Sequence, residues 1–495
     1  MAGFGLVTAG CKKFLDKQLL GQYTTTNFFT SDANAVLAVN AAYAPLSFTA
    51  GASNAIWVLG DVASDDAEKG GLAGDQADFD AIHKFNILPT NSAVEAVWGR
   101  YYDGVFKCNT VLDGLPETNT AVSEATRKSV VAQAKFLRAY YYFTLTTAYG
   151  KIPLHLKVET TEEVQSPAIS QDSIYAQVEK DLLAAAPDLP ASARGADLGR
   201  ATKGAALALL AKTYLFHASL ANHYTLAAQY AQQVDGLGYQ LTDKYYDNFS
   251  AATKDNSEVI FTVNQVTGVS PIQGNELNAW FAPRSLNGYG FFYPTQALVD
   301  NFEKAPGGEV DPRLDYTVAR AGHPYFETPF DPSWTTTGYL TKKMVQPLSE
   351  VPAARKNDGS VNYEAIRLAD VLLIEAEALN ESGNSAGALI PLNRVRKRAR
   401  ESYLFDSSLP GFGTVPSGLL PDITTTDQGQ LRTAIRNERR SELALEFHRF
   451  FDVIRYGSAY ATSVLTPNSA NFNYDKNKFF PIPQSERDAN KKLGL

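Results

Sequence analysis

Sulfur is scarce in this chain: its 495 residues include two cysteines and two methionines. Cys11 and Cys108 could pair, but their settings differ. One follows a short apolar run and the other lies inside a helical pattern, so each is read on its own. An excess of positive charge is also missing. The net charge is −8 and no basic patch suits a phosphate backbone, which argues against nucleic acid as a partner. No run reaches the roughly 18 apolar residues that a transmembrane helix needs. The usual signatures of catalysis are absent as well. His83, His155, His217, His223, His323 and His448 are scattered, and none forms H-E-x-x-H. His217 and His223 lack the i, i+4 spacing that would place them on one helix face. There is no G-x-S-x-G, S-x-x-K, Walker A or G-x-G-x-x-G motif, so no cofactor or metal is expected. A glycosidase needs two carboxylates across one sugar bond. Asp65 and Asp66 are the nearest such pair, and a solvated loop is their simplest reading.

Apolar and aromatic residues are plentiful. The chain is 44% hydrophobic and 11% aromatic, with 25 tyrosines and 27 phenylalanines, enough for a large core. Length alone allows roughly two to four domains. After a polar stretch at 12–30, Asp32 opens a helical pattern that runs to Tyr43 and stops near Pro45. Residues 50–92 are loop-rich. Helices are predicted at about 92–115, 121–148 and 172–187. Cys108 falls in the first of these and is read as a small buried hydrophobe.

Two helix pairs come next in the pattern, 202–218 with 223–236 and 363–382 with 385–400. In both, long residues alternate with alanines, a polar turn intervenes, and a second helix rich in alanine and leucine follows. That is the logic of a tetratricopeptide hairpin, where alanines let helices approach closely. The block 258–360 has another texture. E-V-I-F-T-V-N-Q-V is strand-like. The stretch from Pro271 is rich in Gly, Pro, Asn and aromatics, and T-Q-A-L-V-D-N-F-E reads as a short helix. With 403–428, these are long loops laid on a helical scaffold. The expected class is mostly α with a few short strands.

Near the end, R-N-E-R-R-S-E-L-A-L-E-F-H-R-F-F-D-V-I-R-Y-G (436–457) predicts one helix. Its apolar stripe is Leu443, Phe447, Phe450, Phe451 and Ile454. Glu442 lies three residues after Arg439, Arg449 three after Glu446, and Asp452 three after Arg449, spacings that allow ion pairs on adjacent turns. A helix docked by ion pairs as well as by packing is expected. His448, between Phe447 and Arg449, is read as structural.

This stretch, with the closing F-F-P-I-P-Q-S-E-R-D-A-N, resembles the SusD/RagB family of Bacteroidetes surface lipoproteins. Further likeness lies in A-Q-A-K-F-L-R-A-Y-Y-Y-F-T-L-T-T-A-Y-G-K-I-P-L (132–154), G-R-A-T-K-G-A-A-L-A-L-L-A-K-T-Y-L (199–215), N-S-E-V-I-F-T-V (256–263), A-I-R-L-A-D-V-L-L-I-E-A-E-A-L-N-E-S-G (365–383) and L-N-R-V-R-K-R-A (392–399). The resemblance implies one SusD-like domain over 31–495. Its helical scaffold would occupy about 31–257, 361–402 and 429–457, and its binding region about 258–360 and 403–428. Such proteins capture glycans or other nutrients without catalysis and deliver them to a SusC-like TonB-dependent outer-membrane transporter. Two other classes stay open. A helical glycoside hydrolase would show a close carboxylate pair in a cleft, and a tetratricopeptide adaptor for peptides would show a polar concave groove.

Cys11 follows L-V-T-A-G, which resembles a lipobox, although Thr8 stands where leucine is usual and no basic segment precedes it. Residues 1–10 would then be a truncated signal peptide and 11–30 a lipidated tether. That would anchor the chain at the outer cell surface without a spanning helix. For the ligand, pyranose rings offer flat C–H faces to aromatic rings, and their hydroxyls need polar side chains. Trp280, Tyr289, Phe292, Arg284 and Asn287 combine both, with Gly288 and Gly290 expected to leave rings exposed. Trp334 lies on another turn-rich segment, and Trp57, Asp66 and Asp75 come from the 50–92 loop. Trp98, at a recurrent scaffold position of the family, is read as core.

Overall fold

The computed structural model describes residues 28–218, 222–351 and 356–494. The lipobox cysteine, the signal segment and most of the tether lie outside these. Among the described residues, nine helices have twelve or more residues. They are α1 (Asp32–Tyr43), α2 (Ser92–Gly114), α3 (Glu124–Tyr149), α4 (Gln171–Ala185), α5 (Lys203–Phe216), α6 (His223–Asp235), α7 (Leu368–Glu381), α8 (Ser385–Phe405) and α9 (Gln428–Glu442). Small polar residues set many of their starts. The side chains of Ser31, Asn91, Ser123, Ser170, Thr202, Asn384 and Asp427 each accept a backbone N–H of the first turn.

Helices α2 to α6 pack each against the next, and α7 continues the row by packing on α6, α8 and α9. The 236–367 segment therefore leaves the helical row and returns to it. Alanines line these contacts, as the hairpin pattern predicts. Ala205, Ala206, Ala208 and Ala211 of α5, Ala227, Ala228 and Ala231 of α6, and Ala369, Ala376 and Ala378 of α7 are all buried. Cys108 and Trp98 are buried on α2, Trp98 against Tyr149 and Tyr102.

Among the described residues, three two-stranded antiparallel sheets serve the inserted segment. β1 (Ala67–Gly70) pairs with β3 (Phe291–Pro294), β2 (Val259–Val263) with β6 (Tyr363–Arg367), and β4 (Val318–Arg320) with β5 (Tyr339–Thr341). Residues 363–367, predicted as the start of a helix, are thus a strand. Every residue of β2 and β6 is buried, and each strand supplies the other's backbone partners, with Val263 opposite Tyr363. The helix begins only at Leu368.

The single helix predicted for 436–457 is also broken. α9 ends at Glu442, and a second helix runs over Arg449–Arg455. Leu445 and Phe447 between them have φ of 60° and 70°. The break seats this turn on the turn Val58–Val62. The Asp61 carboxylate accepts the backbone N–H of Phe447 at 2.8 Å and of Arg449 at 3.1 Å. Gly60 permits the approach, since a Cβ there would lie 2.2 Å from the Phe447 carbonyl oxygen. Leu443, Phe447 and Phe450 are buried as the stripe predicts, whereas Phe451 and Ile454 are half-buried.

The charges of this region pair across the molecule more than along one helix. Arg367 of β6 donates to both carboxylate oxygens of Glu446, to Glu442 Oε1 and to Glu258 Oε1, at 2.6–2.8 Å. Arg398 bonds Glu258 and Glu442, Arg313 bonds Asp311, Glu438 and Glu442, and Lys343 bonds Glu446. All are buried. Arg439 reaches Asp370 of α7 and Asp452, not Glu442. Among the i, i+3 pairs here, Asp452 with Arg455 forms. Ion-pair docking is present, with partners that spacing on one helix does not reveal. Burial and the nearby Lys212 push His448 down to about 3, which fits its structural reading.

Candidate ligand-binding site

The segment 277–294 folds as a tight loop whose inner and outer sides differ. The Gly288 N–H donates to the Pro283 carbonyl and the Gly290 N–H to the Ala282 carbonyl, at 3.0 and 2.9 Å. A Cβ on Gly288 would lie 1.9 Å from the Ala282 carbonyl oxygen, so this fold-back requires glycine. The glycines therefore close the loop, and they send most of its rings inward. Trp280 is 7% exposed and Phe292 fully buried. Trp57 is fully buried too, within 5.1–6.0 Å of the rings of Phe79, Phe281, Phe292 and Trp280. Trp57, Trp280 and Phe292 were expected to face ligand. Here they form an enclosed aromatic floor with no free face for a sugar ring.

On this floor rests an outer layer. Tyr289, half-buried, stands edge-on to Trp280 at 5.6 Å. The Lys356 ammonium lies 4.4 Å from the centre of its ring and donates to the Asn287 side-chain oxygen at 3.3 Å. Arg284 pairs with Asp75. The same Asp75 carboxylate accepts the Leu72 N–H at 3.0 Å, and Lys69 donates to the Asp75 carbonyl at 2.6 Å. The Tyr293 hydroxyl donates to the Trp334 carbonyl at 3.0 Å, and burial raises the pKa of this phenol. Trp334 is half-buried, 5.8 Å from the ring of Phe330. Asp75, Arg284, Asn287, Tyr289 and Trp334 are thus joined by the antiparallel β1–β3 pair and its flanking loops. Lys356 and Lys69 were not foreseen. Lys356 is brought to Asn287 and Tyr289 from 69 residues away by the fold of the inserted segment, a link with no local signal.

Asp65 and Asp66 anchor the platform from below. They precede β1 and are buried, so the solvated-loop reading is corrected. Arg449 donates to both oxygens of Asp65, at 2.7 and 2.9 Å, and Arg440 donates to Asp66 at 2.7 Å. Burial pushes both carboxyls up. At Asp65 the two arginines prevail and hold it below its ordinary range, whereas Asp66 stays raised. Burial, with Asp66 adding to it, lifts the neighbouring Asp61 to about 8. These acids are enclosed and engaged with arginines or backbone N–H groups, so Asp66 serves as an anchor and not as a ligand contact. Two cavities lie away from the platform. One of about 620 Å³ is lined by Asn40, Tyr43, Arg200, Thr262 and Gln273, and one of about 480 Å³ by Trp98, Tyr102, Asn109, His155 and Glu486.

Comparison with known proteins agrees with this architecture. A family profile described as "SusD family" matches residues 257–494, and one described as "Starch-binding associating with outer membrane" matches 13–215. The chain belongs to the SusD/RagB family. SusD-like protein P2 of Formosa agariphila is 27% identical, with 99% of this chain and 96% of that one covered. A SusD-like protein whose structure is described as laminarin-binding is 28% identical and superposes with a TM-score of 0.76, covering 93% and 98% of the two chains. A SusD-like carbohydrate-binding protein of Bacteroides fragilis gives a TM-score of 0.78 at 25% identity over 94% and 99%. The mostly α SusD-like fold expected from sequence is the fold observed. No helix among the described residues is long and apolar enough to cross a membrane.

Proposed function

We propose that this SusD-family chain captures an oligosaccharide, without catalysis, on the platform of Asp75, Arg284, Asn287, Tyr289, Trp334 and Lys356. The observation that carries this reading is the meeting of two half-buried aromatic residues with a guanidinium, an amide, an ammonium and a carboxylate around the β1–β3 strand pair. Rings can stack on C–H faces while the charged and amide groups bond hydroxyls. The laminarin-binding relative supports a glycan as the ligand class. The acid pair nominated for hydrolysis, Asp65 and Asp66, is tied up by Arg449 and Arg440, which disfavours the hydrolase alternative at that position. Delivery to a SusC-like transporter in the outer membrane, from a lipid anchor at Cys11, completes the proposal. It would need only binding and a change of pose. Affinity electrophoresis against laminarin, starch, xylan, chitin and fructan tests the capture step. Retardation by at least one polysaccharide, with no release of reducing ends, is expected. Free migration through all of them would overturn the glycan reading.

A further inference from the structure

The geometry points to a second site, remote in sequence from the platform, and we propose that it binds a divalent transition metal, zinc(II), through Glu179, His217 and His223. One ligand atom from each residue lies within 4.8 Å of the others. Glu179 projects from α4, His217 follows the last residue of α5, and His223 is the first residue of α6. The site therefore joins three successive helices of the row. The histidines stand at the facing ends of two successive helices, not on one helix face, with ring centres 4.5 Å apart. Both are buried, at 7% and 5% exposure.

The surrounding hydrogen bonds prepare the nitrogens for a cation. His223 donates its Nδ1–H to the His217 carbonyl, which leaves the lone pair on Nε2. His217 Nδ1 lies 3.0 Å from Glu179 Oε1, while its Nε2 lies 3.3 Å from Asp172 Oδ1. A neutral imidazole has one N–H, and here carboxylates face both ring nitrogens. A cation between Nδ1 and Glu179 can take the place of the second proton that an imidazolium would need. Nε2–H then donates to Asp172, the carboxylate–histidine–metal arrangement that orients metal ligands. Tetrahedral bonds of about 2.0–2.1 Å separate ligand atoms by roughly 3.3 Å, so the 3.0 Å contact needs only a small opening. Tyr175 and Tyr214 wall the imidazoles with their rings, and Tyr214 also hydrogen-bonds Glu179. Two nitrogens and one carboxylate suit zinc better than magnesium or calcium, which prefer all-oxygen shells. The Glu179 side chain is 17% exposed and the adjoining Asp172 74%, so solvent borders the cluster and can supply a fourth ligand.

The test uses the full chain stripped with a chelator and then titrated with zinc chloride by calorimetry, with metal content measured after desalting. One zinc per chain and a raised melting temperature are expected. His223→Gln and Glu179→Gln should each abolish both effects, and Asp172→Asn should weaken binding by about tenfold or more. His323→Gln, at a half-buried histidine paired with Asp315 away from the cluster, should leave zinc binding unchanged. Melting in chelator shows whether each variant folds, and Glu179→Gln reports if His223→Gln does not. Zinc binding that survives both ligand variants, no zinc retained by the wild type, or equal affinity for calcium would each overturn the assignment.

Discussion

Replacing Arg367 with methionine removes the guanidinium at the centre of the buried ion network. Arg367 is 1% exposed and faces Glu258, Glu442 and Glu446, all buried. Methionine matches much of its length but offers no donor. Glu442 retains Arg398 and Arg313, Glu258 retains Arg398, and Glu446 retains Lys343. Lys343 keeps one cation beside Glu446, although burial lowers its pKa to about 8. Removing one partner of a buried ion pair costs about 3–5 kcal/mol. Unfolding entropy of roughly 2 cal/mol/K per residue gives a chain of this length about 1 kcal/mol/K. If the network unfolds with the rest of the protein, the melting temperature should fall by about 3–5 °C. Calorimetry at pH 7, paired with the urea midpoint, reads this directly. Arg367→Lys should fall between wild type and Arg367→Met, since it keeps charge but loses the fork. A melting temperature for Arg367→Met within error of wild type would refute the reasoning that these ions hold the C-terminal segment in place.

Acid should weaken the fold by the same network. Burial pushes the carboxyls of Glu442, Asp452 and Asp370 up, but neighbouring cations outweigh it and hold all three well below their ordinary values of 4.5, 3.8 and 3.8. Depressed folded pKa values give stability that is complete above the unfolded values and lost below them, so melting temperature should drop between roughly pH 5 and 3, and a flat profile there would contradict this. Phe447→Ala, at a buried ring, should cost about 3–5 kcal/mol, and half-buried Phe451→Ala markedly less; equal costs by urea unfolding would show the stripe has been misread. Cys11→Ala in a precursor with an intact signal should move the protein from the membrane to the soluble fraction, and unchanged fractionation would sink the lipid anchor.

Sequence periodicity located the helical row because its signals are local. Ser31, Asn91 and Asn384 begin helices where the patterns start, and buried alanines mark the hairpins. The failures share a cause. The 443–448 turn depends on Asp61, whose acceptors meet Phe447 and Arg449 nearly 400 residues later. Asp65 and Asp66 read as solvated because Arg440 and Arg449 are as distant. Residues 363–367 read as helix because their strand partner, β2, lies about 100 residues before them. At the candidate site, composition pointed to the 277–294 loop but did not show which of its rings turn inward. Gly288 folds the loop tightly, and Trp280 and Phe292 turn inward while Arg284, Asn287 and Tyr289 remain outside.

The central claim is that the outer layer of that loop holds the glycan and its floor does not. Calorimetric titration with laminarin, or whichever polysaccharide retards the protein, on Tyr289→Ala and Trp334→Ala measures this most directly. Stacked rings contribute on the order of 1 kcal/mol beyond the area they bury, so each variant should bind roughly tenfold more weakly. Both should melt close to wild type, whereas Trp57→Ala should be destabilised. Wild-type affinity in both surface variants would contradict the proposed site.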